Sequence, residues 1–319
     1  MTTLQRKAVV GDIGGTHARF GIIDIDELRI DHFVSFECAS FPSLEDALGA
    51  YLRSVPHHPK TISLAIAGPV IDGQVTMTNR AWSPSTKSIT AVSGAEHVCL
   101  VNDFEALALA LPYLGHHDIE QIGGSHGTEH ATRVVTGAGT GLGIAALAWT
   151  GRAYMALPGE GGHMAFAPQT EIDFDIVKSL GQTLGYISSE HLLSGDGLVR
   201  LHQWLQKSAL PLTAPEIVRR ASEDQDPVAL QAVRLFAVWL GRFAGDLALL
   251  YGGRGGVYLG GGIAPKIYPF LSDGHFRAAF EAKGALSDYL ADVPVYVIKS
   301  ASAGLVGAAL AYLNISGEN

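Results

Sequence analysis

The sequence predicts an α/β protein of two domains grown from a duplicated core, with a cleft between them. Three observations carry this. Short β-branched, apolar runs alternate with helical periodicities along the chain. One strand–glycine turn–strand unit occurs twice: Val134-Val135-Thr136-Gly137-Ala138-Gly139-Thr140-Gly141 can be laid over Val9-Val10-Gly11-Asp12-Ile13-Gly14-Gly15-Thr16, about 125 residues earlier. Glycine makes up 38 of 319 residues, about 12% against roughly 7% on average, and much of the excess falls in a few short runs.

Taken in order, Lys7–Ile13 reads as a buried strand and Arg19–Asp26 as a second, with Gly14-Gly15-Thr16 as the turn; Arg29–Glu37 is a third. Pro42-Ser43-Leu44 opens an amphipathic helix that runs to about Ser54. Thr61–Ala67 has the pattern of a central strand and ends at Gly68-Pro69. Val98–Val101 is the next buried strand. It runs into Asn102-Asp103 and a helix whose expected apolar face is Phe104, Leu107, Ala108 and Leu111, stopped by Pro112. This order implies a sheet that is antiparallel at one edge and parallel beyond it.

The segment from Ile119 to Arg133 is rich in Gly, His, Ser and Thr and reads as a surface loop. After the second glycine turn, Leu142–Trp149 is a strand. Helical periodicity follows at Ile172–Leu184, Gly197–Lys207 and Val228–Tyr251. Gly255–Leu259 is a strand running into Gly260-Gly261-Gly262, Val295–Ile298 is a late strand, and Ala303–Tyr312 is a helix of small residues.

Composition narrows the function classes. With 22 Lys and Arg against 31 Asp and Glu the net charge is −9, and no basic run occurs, so nucleic acid and anionic membrane are excluded as partners. A nucleotide remains possible only where backbone amides or a metal ion hold its phosphates. Cys38 and Cys99 lie on different segments without metal-ligand spacing, and Met1–Lys7 has no apolar signal region, so a cytoplasmic protein is expected. The stretch Val134–Gly151 holds five glycines and three threonines, too many for a membrane helix.

Five motifs and one further residue can carry chemistry. Gly11-Asp12-Ile13-Gly14-Gly15-Thr16 can turn several amides and a hydroxyl toward one anion, while Asp12 orients Mg²⁺ directly or through water; the same residues also suit an ordinary hairpin. It is neither a Walker A loop nor a dinucleotide fingerprint, since a strand follows it. The second turn, with Gly137, Gly139 and Thr140, offers amides without a carboxylate. Gly260-Gly261-Gly262 ends a strand, where a nucleoside can lie against bare backbone or the chain can simply turn. Asn102-Asp103 suits either a helix cap or a general base. Glu160 and His163, within Pro158-Gly159-Glu160-Gly161-Gly162-His163, sit where glycines disfavour helix and strand and can bracket the hydroxyls of a polyol, or are simply surface residues. Glu190 suits the first turn of a helix equally well. His57-His58, His116-His117, His126 and His130 read as solvated loop residues.

The residues Gly11–Thr16, Asn102-Asp103, Gly137–Gly143, Gly159–His163 and Gly256–Ile263 occur in the order and spacing of the sugar kinases with the hexokinase/actin/Hsp70-type ATPase core. Along its whole length the chain resembles the bacterial ATP-dependent glucokinases without zinc, sharing also Ala67-Gly68-Pro69, Met77-Thr78-Asn79 and Phe276-Arg277-Ala278-Ala279-Phe280. The resemblance implies two ribonuclease-H-like α/β domains, residues 1–110 plus 301–319 and residues 111–300, that close on sugar and exclude water. It implies phosphorylation of the glucose 6-hydroxyl with ATP and Mg²⁺, Asp103 being the base. It assigns sugar contacts to Asn102, Asp103, Glu160, His163 and Glu190, phosphates to the two glycine turns, and adenosine to Gly260–Gly262. A homodimer is the family expectation. No Cys follows Cys99, so the zinc site of the broader repressor/ORF/kinase group is not expected, and His17 stands where the family has Asn. The competing readings are a sugar-responsive regulator, an ATPase on the same fold, and a kinase for another hexose.

Overall fold

The structure, a computed structural model, describes residues 6–77, 80–207 and 212–316. The leading residues Met1–Gln5, and Thr78 and Asn79 of the Met77-Thr78-Asn79 motif, lie outside the described residues. The described chain forms two compact units, one within Met1–Gly115, Tyr154–Pro158 and Ser300–Asn319, the other within His116–Ala153 and Gly159–Lys299.

The first sheet runs β3-β2-β1-β4-β7. Its members are β1 (Lys7–Ile13), β2 (His17–Asp24), β3 (Arg29–Glu37), β4 (Thr61–Ile66) and β7 (His97–Asn102), with the small ribbon β5 (Val70–Ile71) and β6 (Gln74–Val75) between the last two in sequence. β1 pairs antiparallel with β2 and parallel with β4, and β4 pairs parallel with β7. Helices α1 (Leu44–Ser54) and α2 (Thr86–Ser93) begin at the serine caps Ser43 and Ser85, whose hydroxyls accept otherwise unpaired first-turn amides. Leu44, Ala47, Leu48 and Tyr51 of α1 join Val9, Phe20, Ile62 and Leu64 of the strands in one buried core, with Phe20 stacked on Tyr51.

The second sheet runs β11-β10-β9-β12-β13-β8, built from β8 (Ile119–Gln121), β9 (Arg133–Ala138), β10 (Leu142–Trp149), β11 (Tyr154–Gly159), β12 (Val257–Gly260) and β13 (Val295–Ile298). Without the edge strand β8, its order repeats that of the first sheet strand for strand. β9 pairs antiparallel with β10 and parallel with β12, which pairs parallel with β13. The duplication therefore extends from the two glycine hairpins to both sheets. Its core gathers around the long helix α7 (Pro227–Tyr251), whose Phe236, Trp239, Leu240 and Phe243 are buried with residues of β9, β10, β12 and β13. The remaining helices of this unit are α4 (Glu171–Leu184), α5 (Gly195–Gln206), α6 (Ala214–Arg219), α8 (Tyr268–Leu271), α9 (His275–Glu281) and α10 (Ser287–Ala291). No helix among the described residues is long and apolar enough to cross a membrane.

Three local expectations differ from the structure. The segment expected as a loop contains β8, which pairs antiparallel with β13. Tyr154–Gly159 forms β11, and Gly161–His163 a single 3₁₀ turn, although the glycines of this stretch argued against regular structure. In α3 (Asp103–Ala110) the buried side chains are Ala106, Ala108, Leu109 and Ala110, while Phe104 and Leu107 stay half-buried. The reason is α11 (Ala303–Ser316), which lies against α3, β1 and β4. Gly307 meets Ala106 so closely that an added Cβ would sit 1.9 Å from the Ala106 carbonyl oxygen. The face of α3 is chosen by that neighbour.

Candidate active site

In the first unit the parallel strands end together. Ile13 lies beside Ile66, and Ile66 beside Asn102. The turn Gly14-Gly15-Thr16, the Gly68-Pro69 bend and Asn102-Asp103 therefore leave the same edge of one sheet, the edge at which open α/β sheets bind ligands. Gly14 N–H donates to the His17 carbonyl (2.9 Å) and closes the turn. Asp12 projects beside it, and its Oδ2 accepts from Arg19 Nη1 at 3.0 Å. Burial pushes the Asp12 carboxyl above its ordinary range, and the facing Arg19 guanidinium opposes that shift. Arg19 was not singled out from the sequence, although the hairpin register that sets it directly opposite Asp12 could have revealed it.

Asn102 and Asp103 stand together at the start of α3. Asn102 is the cap of α3: its Oδ1 accepts from Phe104 N–H (2.9 Å) and Glu105 N–H (3.1 Å), and its Nδ2 donates to the Gly68 carbonyl (3.1 Å). Asp103 is the first helical residue, half-buried, with Oδ1 accepting from Phe104 N–H at 3.0 Å. The helix end is thus already capped by an amide side chain, and the carboxylate beside it stands at a strand's carboxyl end where the helix dipole favours negative charge. Ala67-Gly68-Pro69 acquires a local purpose, since its Gly68 carbonyl fixes the Asn102 amide.

In the second unit the two glycine segments meet. Gly137 of β9 lies beside Gly260 of β12, and a Cβ on Gly137 would sit 2.4 Å from the Gly260 carbonyl carbon. Only glycine lets those backbones approach so closely. Ile263 N–H reaches back to the Ala138 carbonyl (3.2 Å), so Gly261 and Gly262 are folded against the start of the turn Gly139-Thr140-Gly141. Thr140, Gly261 and Gly262 are exposed.

Of the polar residues of the same unit, Glu190 reaches the end of that turn with its side chain. Glu160 and His163 are exposed on the 3₁₀ turn after β11, with His163 N–H donating to the Glu160 carbonyl (3.0 Å). Glu190 is half-buried in a turn before α5, outside any helix, so its expected alternative as a first-turn residue does not hold. Its Oε2 accepts from Leu142 N–H (2.8 Å), and its own N–H donates to the Gly162 carbonyl (2.9 Å). Tyr186 hydroxyl donates to the His163 carbonyl (2.8 Å), a support that no sequence pattern indicated.

The glucokinase family profile matches residues 9–315. The chain belongs to the glucokinase family. The glucokinase of Tolumonas auensis is 38% identical over 97% of this chain and 98% of its own. A solved glucokinase from an Antarctic psychrotroph is 35% identical, covers 97% of this chain and 99% of its own, and superposes with a TM-score of 0.83. A glucokinase of the ROK family from Streptomyces griseus, solved with glucose and AMPPNP, shares the fold at 23% identity, with a TM-score of 0.69 over 95% of this chain and 98% of its own. With glucokinases as relatives over nearly the whole chain, the two sheets are those of the actin-like ATPase fold.

A Mg²⁺ ion can be weighed against the residues present. Among the described residues no group of three or more His, Cys, Asp and Glu is arranged to hold a metal. Mg²⁺ keeps most of its waters and usually takes one or two carboxylates plus substrate phosphates. A single carboxylate at the edge of a glycine turn, as Asp12 is, fits an ion that arrives with a nucleotide.

Proposed function

We propose that this member of the glucokinase family is an ATP-dependent kinase of glucose that transfers the γ-phosphoryl group to the 6-hydroxyl, giving glucose 6-phosphate and ADP. The observation that carries the reading is the division of labour at the end of β7. Asn102 caps α3, and Asp103 puts a carboxylate beside that cap.

In this reading Asp103 takes the proton of the sugar hydroxyl as its oxygen bonds to the γ-phosphorus. The bond from phosphorus to the bridging oxygen breaks, and its electron pair leaves with ADP. A positioned base contributes about 10²–10⁴-fold, while alignment and charge neutralisation supply most of the rest. Asn102, Glu160, His163 and Glu190 hold the other sugar hydroxyls through paired donors and acceptors. Amides of Gly11–Thr16, and of Gly137, Gly139 and Thr140 with the Thr140 hydroxyl, hold the phosphates, and Gly260–Gly262 give the adenosine a backbone surface. Mg²⁺ bound near Asp12, directly or through water, would neutralise phosphate charge.

The test is ADP formation from ATP with glucose, mannose, glucosamine or no sugar. Steep dependence on glucose with formation of glucose 6-phosphate is expected. Equal ATP hydrolysis with and without sugar would assign the protein to ATPases instead.

A further inference from the structure

Glu190 has a contact that a sugar ligand does not need. Its Oε2 accepts the N–H of Leu142 at 2.8 Å, and Leu142 is the residue that directly follows Gly139-Thr140-Gly141. The other end of the same turn is held from the same segment, because Gly195 N–H donates to the Gly139 carbonyl at 2.8 Å. Gly195 is the first residue of α5, whose cap Ser194 accepts from Gly197 N–H at 3.1 Å. The stretch 190–195 thus grips the turn at both ends.

That stretch is joined as closely to the Glu160–His163 turn. Glu190 N–H donates to the Gly162 carbonyl (2.9 Å) and Ser189 N–H to the Met164 carbonyl (2.8 Å). Gly162 in turn presses on the backbone of Leu142, where an added Cβ would fall 2.1 Å from the Leu142 carbonyl oxygen. Leu142 is itself buried, so its N–H has no ready substitute in water if the carboxylate is removed.

We propose that Glu190 is a positioning residue for the Gly139–Gly141 turn as well as a sugar contact, so that its two carboxylate oxygens serve two ligands. Oε2 holds the amide that ends the phosphate turn, and Oε1 is left for a sugar hydroxyl. A carboxylate shared in this way links sugar occupancy to the geometry of the turn. This rests on the kinase reading above, in which the turn binds nucleotide phosphate and Glu190 binds sugar.

The link separates from simple sugar binding when nucleotide affinity is measured without sugar. A non-hydrolysable ATP analogue with Mg²⁺ is titrated into the parent protein, Glu190→Ala and Glu190→Gln, alongside a separate titration with glucose. Glu190→Ala is expected to lose on the order of tenfold in analogue affinity, the scale of one hydrogen bond to a charged group, and to lose glucose affinity as well. Glu190→Gln keeps a carbonyl oxygen for Leu142 N–H, so its analogue affinity is expected within about twofold of the parent while glucose affinity falls. Analogue affinity in Glu190→Ala equal to the parent overturns the proposal. Equal losses of glucose and analogue affinity in Glu190→Gln overturn it too, and this arm stands even if the alanine variant does not fold. A parent protein that binds no analogue at all would instead refute the kinase reading on which the proposal rests.

Discussion

At the residue before the last of β1 stands Asp12, with Arg19 opposite it on β2 and Ala65 beside it on β4. The same place in β9 is taken by Gly137, with Gly143 opposite and Gly260 alongside. One copy of the hairpin thus carries an ion pair and the other carries backbone against backbone. The contrast continues along the sheets. The first runs from β7 through Asn102 into Asp103, whereas β13 ends at Ile298 and continues into Lys299 and Ser300. Lys299 is occupied with Glu120 at 3.1 Å. The two copies share strand order but differ by one residue in the hairpin turn, and their carboxylates come from different places: Asp12 lies within the first hairpin, whereas Glu190 reaches the second from outside it. The bare copy offers amides, which hold an anion without adding charge.

The contrast breaks first at Asp103. If the first copy holds the reacting carboxylate, Asp103→Asn should lower turnover by about 10²–10⁴-fold, with glucose affinity by calorimetry nearly unchanged, because α3 keeps its Asn102 cap. Turnover near that of the parent would erase the distinction between the copies.

The next largest effect falls on the bare copy. Gly137→Ala places a Cβ 2.4 Å from the Gly260 carbonyl carbon, and overpacking of this kind typically costs about 1–3 kcal/mol. Urea melts should show that loss, together with weakened nucleotide affinity. A variant as stable as the parent would mean that the two strands can part without consequence.

The smallest effect tests the ion pair of the first copy. Burial raises the Asp12 pKa in the folded protein despite Arg19, so folding disfavours its charged form. The carboxylate therefore subtracts from stability above the raised pKa, and this penalty disappears as pH falls through it. Asp12→Asn should melt at or above the parent temperature near pH 7, with the difference closing toward about pH 4. A variant that melts well below the parent at neutral pH would make Asp12 a structural ion pair.

Much of this was legible from sequence because buried strands announce themselves. Lys7–Ile13, Leu142–Trp149 and Val295–Ile298 were readable residue for residue from runs of apolar and β-branched side chains. What escaped is made by tertiary contact. Ile119–Gln121 is too short to show a period and is a strand only because β13 lies beside it. Helices α8, α9 and α10 are each too brief for a helical period to stand out. The buried face of α3 depends on how near Gly307 allows α11 to come. At the candidate site, the sequence marked Asn102, Asp103, Glu160, His163 and Glu190, with resemblance alone naming Asp103 as the base; that Asn102 is the residue capping α3 came from its backbone partners. The carbonyls and amides that hold the site residues, those of Gly68, Gly162 and Leu142, have no signature in side-chain type and could not be read in advance.

The most direct test of sugar-dependent phosphoryl transfer measures ADP and glucose 6-phosphate together, with purified protein, Mg²⁺-ATP and either glucose or no sugar. With glucose the two products should form in equal amounts, and without it almost no ADP should appear. ADP formed at the same rate in both cases, or formed without glucose 6-phosphate, would contradict such transfer.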